Sequence, residues 1–257
     1  MVETIEITWQ EMSGEFSGMR GARGRDRAIQ NYPSWALDHV MWSEGWLNFC
    51  VRWDSDEPVS ETLRDQIETT LGRGVNAWFS AVSGYDCFPY PEIGVKVTGW
   101  AVRDRATLQW SDEAIVPIYV NELAEGAPTC PAACSRFAHQ DPNYDFSSCP
   151  GGPANRFDQF VWLEENYDAP NGWDMGCHVD REEFTNTVGG TRLYHIWLHE
   201  FGHSIGFPDY YDWATWAPGV DAPACVMNAG AAATVTDWDK WMFKRTWSEL
   251  LRDDRWP

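Results

Sequence analysis

The run His199-Glu200-Phe201-Gly202-His203-Ser204-Ile205-Gly206 constrains this chain more than any other, because it prescribes a helix, a shared helix face and a stop. Residues four apart in a helix lie one turn above each other, so His199 and His203 project from one face and their imidazoles can reach one cation. Glu200 lies beside that face, where a carboxylate can hold a water without displacing it from the metal. Thr191, after Gly189-Gly190, reads as the cap of a helix running through Ile205, and Gly206 as its left-handed end. Two imidazoles suit zinc, and hydrolytic zinc needs a third protein ligand plus one open position. Asp209, after Phe207-Pro208, can fold back from the turn at Gly206 to complete the set. His195 stands one turn earlier on the same face and reads as a packing or supporting residue, since zinc rarely takes three ligands from one straight helix.

The rest of the composition frames that motif. In 257 residues, 44% hydrophobic and 23% charged is a globular balance with material for one sizeable core. No run approaches the roughly 18 apolar residues of a membrane span, and Met1–Gln10 lacks the basic start and apolar stretch of a signal peptide. The expectation is a soluble monomer, exported, with any signal already removed. With 19 Lys and Arg against 39 Asp and Glu, a net charge of -20 repels phosphate backbones, which excludes nucleic acid as the expected partner. The Arg20, Arg23, Arg25 and Arg27 cluster reads as a solvated loop, and so does the acidic run Asp54–Glu57, whose other use is calcium binding. Seven cysteines are many for a reducing compartment. No C-x-x-C pair is present, so disulfides are expected, with one thiol left over.

Along the chain, residues 1–45 read as an irregular N-terminal extension and 46–257 as one domain. Strands are expected at Trp46–Trp53, Ile93–Val102, Ala114–Val120, Phe157–Glu164 and Met175–Val179. A helix is expected from Ser60 to about Val82, with Leu63, Ile67, Leu71 and Val75 on one face, and a last helix after Thr236. Residues 127–153, rich in Pro, Ser and Gly and holding Cys130, Cys134 and Cys149, predict a long surface loop stapled by disulfides. Asp168–Gly172 reads as a turn.

HEFGHSIGFPD resembles the H-E-x-x-H-x-x-G-x-x-H/D signature of the metzincin zinc endopeptidases, in the version with Asp as third ligand found in small snapalysin-type neutral proteases. Cys225-Val226-Met227-Asn228 is similar to their Met-turn, whose Met lies beneath the metal. The resemblance implies an α+β zincin: a twisted, mostly parallel sheet with two long helices (46–205), then a small C-terminal subdomain (206–257). It implies zinc on His199, His203 and Asp209, with Glu200 as the base that activates water to hydrolyse peptide bonds. Substrate would lie along an edge strand, here Phe157–Glu164. No Tyr follows Met227, so a phenolic donor for the transition state would come from Tyr210 or Tyr211. Phe201, Phe207, Tyr210, Tyr211 and Trp213 would offer an aromatic residue after the cut bond a surface on which to bury. Ala233-Thr234-Val235-Thr236-Asp237 is similar to the G-T-x-x-D of the aspzincins. That makes Asp237 a rival ligand, although it also suits the first turn of the last helix, and Asp212 is a further candidate.

The competing class is an aromatic-rich glycan- or protein-binding protein on a zincin scaffold, because 17 Trp residues offer faces for sugar rings. The plainer use of those Trp residues is to fill the core.

Overall fold

Trp46–Asp54 (β1) is buried along nearly its whole length, the pattern of a strand covered on both faces within a parallel sheet. In the computed structural model, which describes residues 2–13, 29, 32–111, 115–140, 145–210, 219–252 and 255–256, β1 is central to a six-stranded sheet. Gly94–Val102 (β2) pairs with it in parallel on one side and Gln159–Glu164 (β6) in parallel on the other. Ile118–Val120 (β3) extends the sheet beyond β2. Leu123–Ala124 (β4) and Ala127–Pro128 (β5) form a separate small hairpin. Gly176–Asp180 (β8) pairs in parallel with β6, and Asn171–Trp173 (β7) closes the far edge antiparallel to β8. The order is therefore β3-β2-β1-β6-β8-β7. The chain is α+β with a mostly parallel sheet.

Two expectations are corrected here. Phe157–Glu164 is not an edge strand: β6 lies between β1 and β8, and the edge is β7. Asp168–Gly172 is not only a turn, because Asn171, Gly172 and Trp173 pair with His178, Cys177 and Gly176. A three-residue strand of Asn, Gly and Trp carries no alternating pattern to announce it.

One face of the sheet is covered by helices. Glu61–Phe79 (α3) starts at Ser60, whose Oγ accepts from the Leu63 amide at 3.1 Å, and buries Ile67, Leu71 and Val75 as their spacing predicts. Arg181–Thr185 (α4), capped by Asp180, was not anticipated. His195–Ile205 (α5) and Asp237–Arg252 (α6) complete this side, and α5 begins after Tyr194 rather than Thr191. The N-terminal region is also less irregular than expected. Val2–Met12 (α1) and Ala36–Trp42 (α2) are helices. Trp9, Met12, Leu37 and Val40 join the main core, and the Trp238 indole donates to Thr4 Oγ1 at 3.0 Å.

The opposite face is covered by the segment between β3 and β6, over a smaller cluster that includes Phe146, Phe157 and Phe160. Cys50–Cys130 ties that segment to β1, and Cys134–Cys149 closes its own loop. Three thiols are free rather than one: Cys87 is exposed, while Cys177 and Cys225 pack in the main core as small apolar side chains. Most described Trp side chains do fill the interior, with Trp53, Trp78, Trp100, Trp197 and Trp247 almost wholly buried. Among the described residues no helix is long and apolar enough to cross a membrane.

Candidate metal centre

Helix α5 ends where the sequence placed its stop. Gly206 has φ 113°, and the reversed chain returns its own amide and that of Phe207 to the His203 and Gly202 carbonyls. The reversal carries Asp209 back over the helix face. Asp209 Oδ1 lies 2.9 Å from His199 Nε2 and 3.3 Å from His203 Nε2.

The other nitrogen of each ring settles what these contacts mean. His199 Nδ1 lies 2.9 Å from the Val226 carbonyl, and His203 Nδ1 lies 2.7 Å from the Phe207 carbonyl. A carbonyl only accepts, so each Nδ1 carries the hydrogen and each neutral ring keeps its lone pair on Nε2. Two lone pairs and a carboxylate oxygen thus face one another, an arrangement that a cation or a proton must occupy. Burial pulls the His199 pKa down. The bond to Asp209, the Glu200 charge and the Val226 carbonyl outweigh it and leave His199 above its ordinary value. The surroundings that attract a proton also attract a metal ion.

Glu200 is buried, with Oε2 3.8 Å from His203 Nε2. Burial raises its carboxyl above the usual range, against the pull of His203 and His199. His199, Glu200 and His203 offer ligand atoms within 4.8 Å of one another. Such a group of side chains can hold a metal ion, and Asp209 Oδ1 stands as close to the two imidazole nitrogens, at 2.9 and 3.3 Å. The Asp54–Glu57 run forms no such group, and Asp54 instead pairs with Arg103 at 2.6 Å.

Backbone and glycine hold the site from three sides. A Cβ on Gly202 would come within 2.2 Å of Met227 Sδ, so the Met side chain lies directly against the helix between the two histidines. The Met227 carbonyl accepts from the Tyr210 amide at 3.1 Å, which pins the residue after Asp209. On the sheet side, a Cβ on Gly172 would meet the Glu200 carbonyl oxygen at 2.1 Å, and Ser204 Oγ donates to the Trp173 carbonyl at 2.7 Å. Edge strand β7 is thereby seated on the histidine helix. Neither Gly172 nor the carbonyls of Val226 and Phe207 were marked in advance, since no side chain advertises them.

Other candidates lie elsewhere. His195 is exposed at the start of α5, against Tyr194. Asp237 opens α6 with its side chain 91% exposed, 3.9 Å from Lys240. Tyr210 is buried with its ring edge-on to Trp238, while Tyr211, Asp212 and Trp213 fall outside the described residues. Phe201, Phe207 and Tyr210 belong to the core and offer no open aromatic surface. No protein-family model matches the chain, and no curated protein matches it.

Proposed function

We propose that this chain is a zinc-dependent endopeptidase of metzincin type, acting outside the reducing cytosol on protein or peptide substrates. One observation carries the reading: two Nε2 lone pairs and the Asp209 carboxylate converge, with a buried carboxylate next to them in sequence. This donor set of two neutral imidazoles and one carboxylate suits zinc and leaves room for a fourth partner. His199, His203 and Asp209 would hold the ion. Bound there, zinc would polarise a peptide carbonyl and lower the pKa of a water towards neutrality.

The remaining work falls to the chain. Glu200, kept by burial at a pKa above that of a free carboxylate, accepts the proton of the attacking water and delivers it to the leaving amine. Met227 gives the site an apolar floor that fixes the helix face. The substrate backbone extends beside β7, the edge strand that rests on the Glu200 carbonyl, and pairs main chain to main chain. The two disulfides fit an exported protein.

Glu200→Gln tests this reading. The amide keeps the shape of the carboxylate but accepts no proton, so the variant should fold and retain one zinc per chain while peptide hydrolysis falls by about two to four orders of magnitude. Metal content is measured by elemental analysis and turnover with an unfolded protein substrate. A folded, zinc-loaded variant with near wild-type turnover, or a wild-type chain that takes up no metal, overturns the proposal.

A further inference from the structure

The loop that carries Met227 is fastened from behind by a carboxylate that the metal motif does not contain. Asp239, in the first turn of α6, is 1% exposed. Its Oδ2 accepts from the Val226 amide at 3.1 Å, the Thr236 amide at 2.7 Å and the Thr236 hydroxyl at 2.7 Å. The Asp239 amide is returned to Thr236 Oγ1 at 3.4 Å, which closes a reciprocal capping box at the helix start. The Cys225 thiol lies against the same carboxylate. A capping residue needs only the bonds to Thr236. The bond to Val226 reaches out of the helix, to the residue whose carbonyl takes the His199 Nδ1 hydrogen.

We infer that Asp239 is a positioning residue for the metal centre. Its carboxylate holds Val226 so that the Val226 carbonyl keeps His199 in the Nδ1–H tautomer, with the Nε2 lone pair turned towards Asp209. The chain of contacts is continuous: Asp239 Oδ2 to the Val226 amide, Val226 carbonyl to His199 Nδ1, His199 Nε2 to Asp209 Oδ1. Met227 follows directly and inserts its sulfur against Gly202, so a shift of Val226 would also disturb the floor beneath the histidines. Groups that orient a metal-binding histidine through its second nitrogen raise metal affinity by about 10- to 100-fold. Asp239 acts through one intervening residue and belongs at the lower end of that range.

The inference rests on the metal-binding role proposed for His199, and the experiment separates the two. The full chain, labelled with nitrogen-15 and free of metal, is examined at about pH 8, where neutral imidazoles show their tautomers in long-range proton–nitrogen spectra. Wild type should show hydrogen on His199 Nδ1, held by the Val226 carbonyl, whether or not a proton shared with Asp209 also occupies Nε2. Asp239→Ala should move His199 measurably towards the Nε2–H form and weaken zinc binding about tenfold in chelator competition. Asp237→Ala, at the exposed position two residues earlier, should change neither. Asp239→Asn keeps one oxygen acceptor and should fall between, and it decides the question if the Ala variant does not fold. A residue that only stabilised α6 would lower the unfolding midpoint and leave the tautomer alone. A folded Asp239 variant with wild-type tautomer and wild-type zinc affinity therefore overturns the inference. A tautomer shift in a chain whose wild type binds no zinc supports the positioning role and overturns the proposed function.

Discussion

Asp209 and Asp237 both follow the histidine helix and both belong to sequences that resemble zinc-ligand motifs, yet their surroundings differ completely. Asp209 is brought within 2.9 and 3.3 Å of the two Nε2 atoms by the reversal at Gly206. Asp237 sits at the start of α6 with its side chain 91% exposed, where a carboxylate meets the positive end of the helix. Removing Asp209 should leave two imidazoles without their anionic partner, so Asp209→Ala should lose zinc by at least two orders of magnitude in affinity. Removing Asp237 should leave the metal bound and cost about 0.3 to 1 kcal/mol of helix-terminus electrostatics. Zinc titration of both variants decides between them, and loss of metal from Asp237→Ala alone would transfer the ligand role. The sequence announced the histidines because chemistry demands a spacing of four on a helix. It announced Asp209 only through the glycine that turns the chain. Asp239 is not legible as part of the site, because Thr236-x-x-Asp239 is a capping pattern and capping explains it without the extra bond to Val226.

Between elements, the site depends on how closely α3 can approach α5, and a glycine sets that distance. A Cβ on Gly74 would stand 1.7 Å from the Trp197 ring, and Trp197 is stacked on Phe201 with centroids 5.5 Å apart. Ala is the better helix former by about 1 kcal/mol, so local propensity favours Gly74→Ala. Packing opposes it, because the indole is fully buried and has no space to yield. Overpacking of this kind costs about 1 to 3 kcal/mol and should outweigh the propensity gain. The urea midpoint of Gly74→Ala should fall; a midpoint at or above wild type would mean that the two helices can separate freely. These contacts also explain which elements could be foreseen. Helix α3 and strands β1, β2, β6 and β8 carry their periodicity in large apolar side chains, and their positions follow from it. Strand β7 has three residues held by register against β8, and its place is set by the absence of a side chain at Gly172 against the Glu200 carbonyl. Helix α1 spaces Ile5, Trp9 and Met12 at four and three residues, but its stability comes from α6, which is more than two hundred residues away in sequence.

Across the whole molecule, the sheet joins a helical side that carries the candidate metal site to a disulfide-tied side that does not, and two buried ionisable groups near that junction contribute opposite responses to acid. His39, on α2, accepts from Gln159 Nε2 at Nδ1 and meets Ser34 Oγ at Nε2, both at 3.3 Å. Burial first, and then the Arg136 charge, lower its pKa from 6.5 to about 3. Asp158, just before β6, accepts from the Asn48 amide at 2.9 Å, and burial raises its pKa from 3.8 to about 6 despite that bond and the nearby Arg136 and Arg156. The two act in opposite directions. Below pH 6.5 the unfolded chain takes up a proton that folded His39 refuses, so stability falls with falling pH down to about pH 3. Between pH 6 and 3.8 folded Asp158 takes up a proton that the unfolded chain does not, so stability rises as pH falls. Each slope is about 1.4 kcal/mol per pH unit, and in the shared window they nearly cancel. Single substitutions should expose them. From pH 6 to 4, His39→Gln should gain stability relative to wild type, and Asp158→Asn should lose it, each by about 2 to 3 kcal/mol. Urea unfolding at pH 6, 5 and 4 measures both, and two variants that simply parallel wild type would show that neither group is perturbed in the folded chain.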